Sequence, residues 1–266
     1  MSRRMPDKYK LILLAAVFVI FPSRLFAAPL ETPEPTIFVG EKIVFQVIWM
    51  GVPVGIGELE VKEKTRIGGR ETFHIVATAR ANDFLSKIYP VHDEMHSYID
   101  TQTLYPLKFR KKLQEGRYRA DEETAFDAVN KKGHYESLKN GSKKDFEISG
   151  NVQDILSAFY WFRRQNIAVG QNVKTVVSSE EKDWELEVDV LRRETKAFRR
   201  QGSIDTIVIE PKTRLKGALY DRGQMWVNFS ADKHRVPVWI TLKTPFGSIL
   251  GVLDRSASKF PYPFQS

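Results

Sequence analysis

From Ile37 onward the chain alternates apolar and polar residues with a period of two, the spacing of a strand that buries one face. In KIVFQVIWM, Ile43, Phe45, Val47 and Trp49 fall on one side. GVPVG turns the chain, GELEVKEKTRI predicts a second strand, Gly68-Gly69 a hairpin turn, and ETFHIVATARA a third strand. LKFRKKLQ-EG-RYRADEETAF predicts a hairpin about a two-residue Glu115-Gly116 turn, pairing Arg110 with Asp121 and Lys108 with Glu123. That register puts Leu107, Phe109, Leu113, Tyr118 and Ala120 on the apolar face and Lys108, Arg110, Lys112 and Arg119 on the other. A slip of one residue would exchange the faces. Lys111 and Glu122 intrude on the apolar face as partners for each other.

One segment departs from this rhythm. In SGNVQDILSAFYWFRRQNIAVG, Val152, Ile155, Leu156, Phe159 and Phe162 recur at three- and four-residue spacing, with Ser149 or Asn151 able to cap the start and Gly170 beyond the end. The pattern predicts an amphipathic helix near 151–165, and DFLSKIY before Pro90 predicts a shorter one. Strand patterning then resumes in NVKTVVSS, WELEVDVLRRE, SIDTIVIEP, GQMWVNFSA, VPVWITLKT and GSILGVLDR. Long strands joined by short turns around one helix predict a mainly β protein. Its antiparallel sheet should be strongly curved into a barrel or half-barrel around that central helix, with a two-sheet sandwich as the alternative. The expected organisation is a single β-rich domain over 37–258 followed by a C-terminal tail, 259–266.

The N-terminus carries a different signal. Arg3, Arg4, Lys8 and Lys10 precede the apolar run LILLAAVFVIF, and Pro22 breaks it before RLFAAPLE, the three-part layout of a secretory signal peptide. The run is too short to span a bilayer, which takes about 20 residues. Cleavage is expected after Ala27, giving a signal at 1–27, a Pro-rich flexible leader at 28–36, and a periplasmic mature chain with no transmembrane segment. Removing 1–27 changes the charge argument. The whole chain has 41 Lys and Arg against 33 Asp and Glu; the segment takes five of the bases and one acid with it, leaving a net +4 in place of +8. A nucleic-acid partner, which total charge would suggest, loses its support. The absence of cysteine excludes a disulfide framework and thiol nucleophiles, so the domain must rest on an ordinary core.

YPVHDEMHSYIDTQTLYPLKFRKKLQEGRYRADEETAFD, DILSAFYWFR with a following VG, and the late pair MWVNFSADKHRVPVWI and GSILGVL together resemble a large bacterial family of exported β-proteins known only as a domain of unknown function. The resemblance covers roughly 38–255. It implies a periplasmic β-rich fold and carries no catalytic residues.

Chemistry is sparse. VHDEMHSY places His92 and His96 four apart, but it is neither HExxH nor HxxEH, and it reads as a strand. There the two rings stand about 13 Å apart at roughly 3.3 Å per residue and cannot share a metal, although Glu94 with His96 would make half a site. Ser230-Ala-Asp-Lys233 matches S-x-x-K without its companion elements and lies in a strand-to-strand turn. Neither catalysis nor a cofactor nor a metal is therefore expected. Asp154 suits the first helical turn; with Tyr160 and Arg163 it is alternatively a polar handle at a cavity mouth. Arginine pairs such as Arg163-Arg164 read as solvated strand edges, or with Arg110 and Arg119 as a basic face for anionic headgroups. Trp49, Trp161, Trp226 and Trp239 read as buried, either core or the lining of a ligand cavity. Arg110, Arg119, Asp154, Tyr160 and Trp226 are thus the candidate ligand-binding residues. The expected function is non-enzymatic binding of an apolar or amphiphilic envelope component, a lipid or lipoprotein. The alternative is an assembly scaffold that binds another envelope protein through a sheet edge or basic face.

Overall fold

The structure, a computed structural model, describes residues 37–198, 202–215, 218–219, 224–245 and 247–264; the expected signal, its Ala27 cleavage site and the 28–36 leader lie outside the described residues. The first strands are β1 (Lys42–Trp49), β2 (Val52–Ile67) and β3 (Arg70–Ala81). A single-turn helix α1 (Asp83–Ser86) leads into β4 (His92–Asp100), β5 (Pro106–Glu115), β6 (Tyr118–Asp127), β7 (Lys132–Ser137) and β8 (Lys143–Glu147). After helix α2 (Ile155–Arg163) come β9 (Asn172–Ser179), β10 (Lys182–Phe198), β11 (Gly202–Leu215), β12 (Ala218–Leu219), β13 (Gln224–Ser230), β14 (Pro237–Thr244) and β15 (Gly247–Leu253).

These strands make one antiparallel sheet in the order β8-β7-β6-β5-β4-β3-β2-β1-β15-β14-β13-β11-β10-β9, with the short β12 paired to β11. A single continuous sheet rules out the two-sheet sandwich. Its two end strands are brought back toward each other: Lys144 of β8 pairs with Glu181 beyond β9, Ser149 N and Oγ donate to Asp183 at 2.6 and 2.5 Å, and Gln153 bridges Val177 in parallel. The sheet therefore curls into a barrel-like shell whose last seam is closed by side chains and one bridge.

The β5–β6 hairpin shows how turn chemistry sets register. Glu115 faces Tyr118, Lys112 faces Asp121 and Arg110 faces Glu123, a shift of two residues from the expected pairing. Gly116, at φ +54°, takes the first turn position, which demands a left-handed residue that Glu115 would strain to supply. A shift of two preserves the faces, so Phe109 still packs on the core, Arg110 still meets Asp121, now diagonally, at 3.0 Å, and Lys111 meets Glu122 at 2.9 Å.

Helix α2 lies inside the curve and divides the interior. On one side Leu156 and Tyr160 join Ile43, Phe45, Ile75, Ile99 and Val238 in a packed core; on the other Phe162 meets Val188, Ile207, Val227 and Phe229. The segment expected as a tail belongs to this core. Lys259 exchanges backbone hydrogen bonds with Lys42 at 2.7 and 2.8 Å, and Phe260, Tyr262 and Phe264 pack against it. The domain therefore does not end at 258.

Candidate ligand cavity

Strand alternation aims every second residue of the β9–β13 sector at α2. Val177 and Ser179 of β9, Trp184, Leu186 and Val188 of β10, Ile209, Pro211 and Thr213 of β11, and Met225, Val227 and Phe229 of β13 all point inward. Helix α2 answers with Ile155, Ala158, Phe159 and Phe162, the i, i+3, i+4, i+7 stripe of one helical face. The two surfaces do not meet fully. They leave between them a partly open apolar cavity of about 310 Å³ whose polar lining, Ser179, Glu180 and Thr213, gathers at the end nearest the β9–β10 hairpin. The size and the apolar wall with few polar groups are those of a small-ligand site.

The helix is held in place by buried polar groups that face away from this cavity. Asp154 caps α2: its Oδ1 accepts from Ser157 N at 2.7 Å, Ser157 Oγ accepts from Asp154 N, and Ser97 Oγ of β4 donates to Oδ2 at 2.5 Å. At the far end of α2, Arg163 is fully buried. Its Nη1 and Nη2 donate to the two Glu41 oxygens at 2.7 Å each, its Nε to His234 O at 2.9 Å, and the Tyr262 hydroxyl joins both partners. Tyr160 Oη also reaches Glu41, at 3.3 Å. Burial opposes the charge on Arg163, but Glu41 beside it outweighs that and holds the guanidinium above its usual range.

These positions correct the expected site. Asp154, Tyr160 and Arg163 are anchors of α2 and do not stand at the cavity mouth; Arg163 is no solvated edge residue. Trp226 alternates with the inward Met225 and Val227 and so faces the other side of β13, under Lys243 at 5.2 Å. Arg110 is paired with Asp121 on the outer face, and exposed Arg119 donates to the carbonyls of Gly116 and Tyr118. None of the five lines the cavity. Of the tryptophans expected to be buried, Trp49 is 40% exposed; Trp184, which was not among them, is buried and forms part of the cavity wall. Trp184 was detectable: it stands two and four residues before Leu186 and Val188, on their face.

The histidine motif is a strand, as expected. His96 Nδ1 lies 2.9 Å from Nε2 of His74 on β3, and its Nε2 lies 2.6 Å from Glu94, so both ring nitrogens are already engaged on the outer face. Ser230 Oγ donates to Asp232 and accepts from Val236 N, a turn-closing role.

Burial pushes the Asp154 carboxyl up from 3.8 to about 6, against the hydrogen bonds from Ser157 and Ser97 that favour its ionised form. A carboxyl raised in the folded state is neutral and harmless below its unfolded value, and costs stability as pH rises through the folded one. At about 1.4 kcal/mol per unit, roughly 3 kcal/mol is lost between pH 4 and 7. Asp154→Asn keeps a capping oxygen and removes the titration. Urea unfolding at both pH values is expected to show this slope in the wild type and lose it in the variant; equal slopes would refute it.

The model for a protein of unknown function, DUF3108, matches residues 44–254. The chain belongs to this family. As a DUF3108 member it shares its fold with a β-barrel-like protein of another domain of unknown function, DUF1849, from Brucella abortus, at 9% identity and a TM-score of 0.55 over 81% of this chain and 96% of that one. Lower similarities reach a lipoprotein candidate from Parabacteroides distasonis (TM-score 0.34, 8% identity, 82% of this chain and 94% of that one) and an exported-protein candidate with a YmcC-like fold from Bacteroides fragilis (0.33, 10%, 84% and 97%). No curated protein matches the chain. The family model stops short of Glu41 and Tyr262, so two of the groups that hold Arg163 lie outside the matched span.

Proposed function

We propose that this protein is exported to the periplasm and binds one hydrocarbon chain of an amphiphilic envelope component, a lipid or the acyl group of a lipoprotein, without catalysing a reaction. The observation that carries the reading is the apolar cavity under α2. At the roughly 30 Å³ that a water molecule occupies in the liquid, close to the size of a methylene group, the cavity volume takes about ten methylene-sized units. Burying those at about 0.8 kcal/mol each gives roughly 8 kcal/mol, the free energy of micromolar binding before ordering costs. The polar residues at one end of the cavity suit a ligand whose headgroup stays near solvent. The N-terminal basic-apolar-small pattern supports export.

The scaffold reading has less behind it. The free edge of β9 is partly occupied, because Gln153 N donates to Val176 O and Ser178 N to Gln153 O, both at 2.8 Å, where an added strand would pair. The test is native mass spectrometry with organic extraction on the gene product expressed from Met1 and purified from the periplasm. The expected result is a stoichiometric amphiphile on a chain beginning at Ala28. An empty protein that also takes up no added fatty acid would overturn the carrier reading.

A further inference from the structure

In an antiparallel meander every second connection lies at the same end of the sheet. Here, among the described residues, that end carries the turn after β1, residues 82–91 between β3 and β4, the turns after β5 and β7, the β9–β10 hairpin and the turn before β15. Three of these connections, with the turn before β15, form one continuous rim. Met50 N donates to Ser248 O, and Trp49 and Met50 cover Gly247. Asn82 bonds Val54 O through its backbone and Pro53 O through its side chain, both at 2.8 Å. Gly116 N donates to Pro90 O, with the Tyr89 ring lying on Gly116.

This rim exposes large apolar side chains where polar turn residues are the norm. Met50 is 69% exposed, Phe84 64% and Ile88 75%, and Trp49, Val52 and Tyr89 stand open beside them. Lys87, Arg117 and Arg119 are exposed among them, while of the nearby acids Asp83 is exposed, Glu115 half-buried and Asp93, which accepts from Gln114 N, buried. The apolar groups sit on two connections, Trp49, Met50 and Val52 on one and Phe84, Ile88 and Tyr89 on the other. Aromatic and aliphatic tips interleaved with cations match the boundary of an anionic bilayer, where rings settle at headgroup level and Lys and Arg meet phosphates.

We infer that this end of the sheet docks on the surface of an anionic phospholipid membrane, inserting Met50, Phe84 and Ile88 below the headgroups. The inference rests on the exposed rim and does not depend on what the cavity holds. Ser179 and Glu180, the polar end of the cavity, belong to a connection at the same end, so a docked molecule would turn that part of the cavity toward the membrane.

Flotation of the processed protein, purified from the soluble envelope fraction, tests this with vesicles of phosphatidylethanolamine and phosphatidylglycerol, and of phosphatidylcholine alone. The wild type is expected to float with the anionic vesicles, less so in high salt. Phe84→Ser with Ile88→Ser should reduce partitioning by about tenfold or more. Both side chains are exposed, so thermal stability should stay unchanged. Lys87→Glu with Arg117→Glu should reduce binding and weaken its salt dependence. A wild type that never floats overturns the inference, as does a Phe84/Ile88 variant that floats equally well or a rim that holds only a protein partner. Blocking the cavity with Ala158→Trp should leave flotation intact, which separates failure of this inference from failure of the carrier reading.

Discussion

Glu41→Ala is expected to lower the free energy of unfolding by roughly 3–5 kcal/mol, the loss found when one member of a buried ion pair is removed. Against the 5–15 kcal/mol of an ordinary domain this is a large share. Neither side chain of the Glu41–Arg163 pair has any solvent exposure. Without Glu41 the guanidinium keeps His234 O and the Tyr262 hydroxyl and loses two short charged bonds in a site with no solvent exposure. Four distant parts of the chain meet there: the lead into β1, the last turn of α2, the β13–β14 connection that supplies His234 O, and the C-terminal segment. Their separation should therefore be cooperative. Urea titration measures it, with Glu41→Gln as a graded control that keeps the shape and loses the charge. The double replacement Glu41→Leu with Arg163→Met should cost less than Glu41→Ala alone, since no unpaired charge remains. A loss below about 1 kcal/mol for Glu41→Ala would mean that the pair does not hold the helix.

The same cluster shows where sequence reading stopped. Period-two alternation marked most strands, and helical spacing marked α2 to within a few residues, because both patterns are local. The faces of β5 and β6 followed from alternation even though Gly116 moved the register by two. The Glu41–Arg163–Tyr262 contact is not local: its members lie 122 and 99 residues apart. Arg163 stands next to Arg164 and so looked like half of a solvated pair, and Tyr262 sits in a Pro-broken ending that looked like a tail. The cavity falls between these cases. Its lining residues were legible as inward-facing, but whether α2 fills the space over them depends on a helix-to-sheet distance that no pattern records. The candidate residues chosen from chemistry alone, Arg110, Arg119 and Trp226 among them, proved to face outward, since charge and ring size say nothing about which side of a strand is concave.

Filling the cavity should abolish ligand binding while leaving the fold intact or more stable. Ala158 on α2 and Val227 on β13 both line it, and both are small and nearly buried. An apolar cavity of about 150 Å³ holds one benzene. Ala158→Trp combined with Val227→Phe adds one indole and most of a phenyl ring to a space of about 310 Å³, leaving no continuous path for a chain. Lining atoms that now face a void would gain contacts, so the melting temperature should hold or rise provided the rings fit in low-energy rotamers. Fluorescence titration with a polyene fatty acid such as cis-parinaric acid is the measurement, run beside thermal melts. Saturable micromolar binding by the wild type and at least a tenfold loss in the double variant is the expected outcome. Asp154→Asn, which alters the anchor of α2 without touching the lining, should bind as the wild type does. Undiminished binding by the filled variant would move the ligand to another surface, and the exposed rim with Phe84 and Ile88 would be the next place to look.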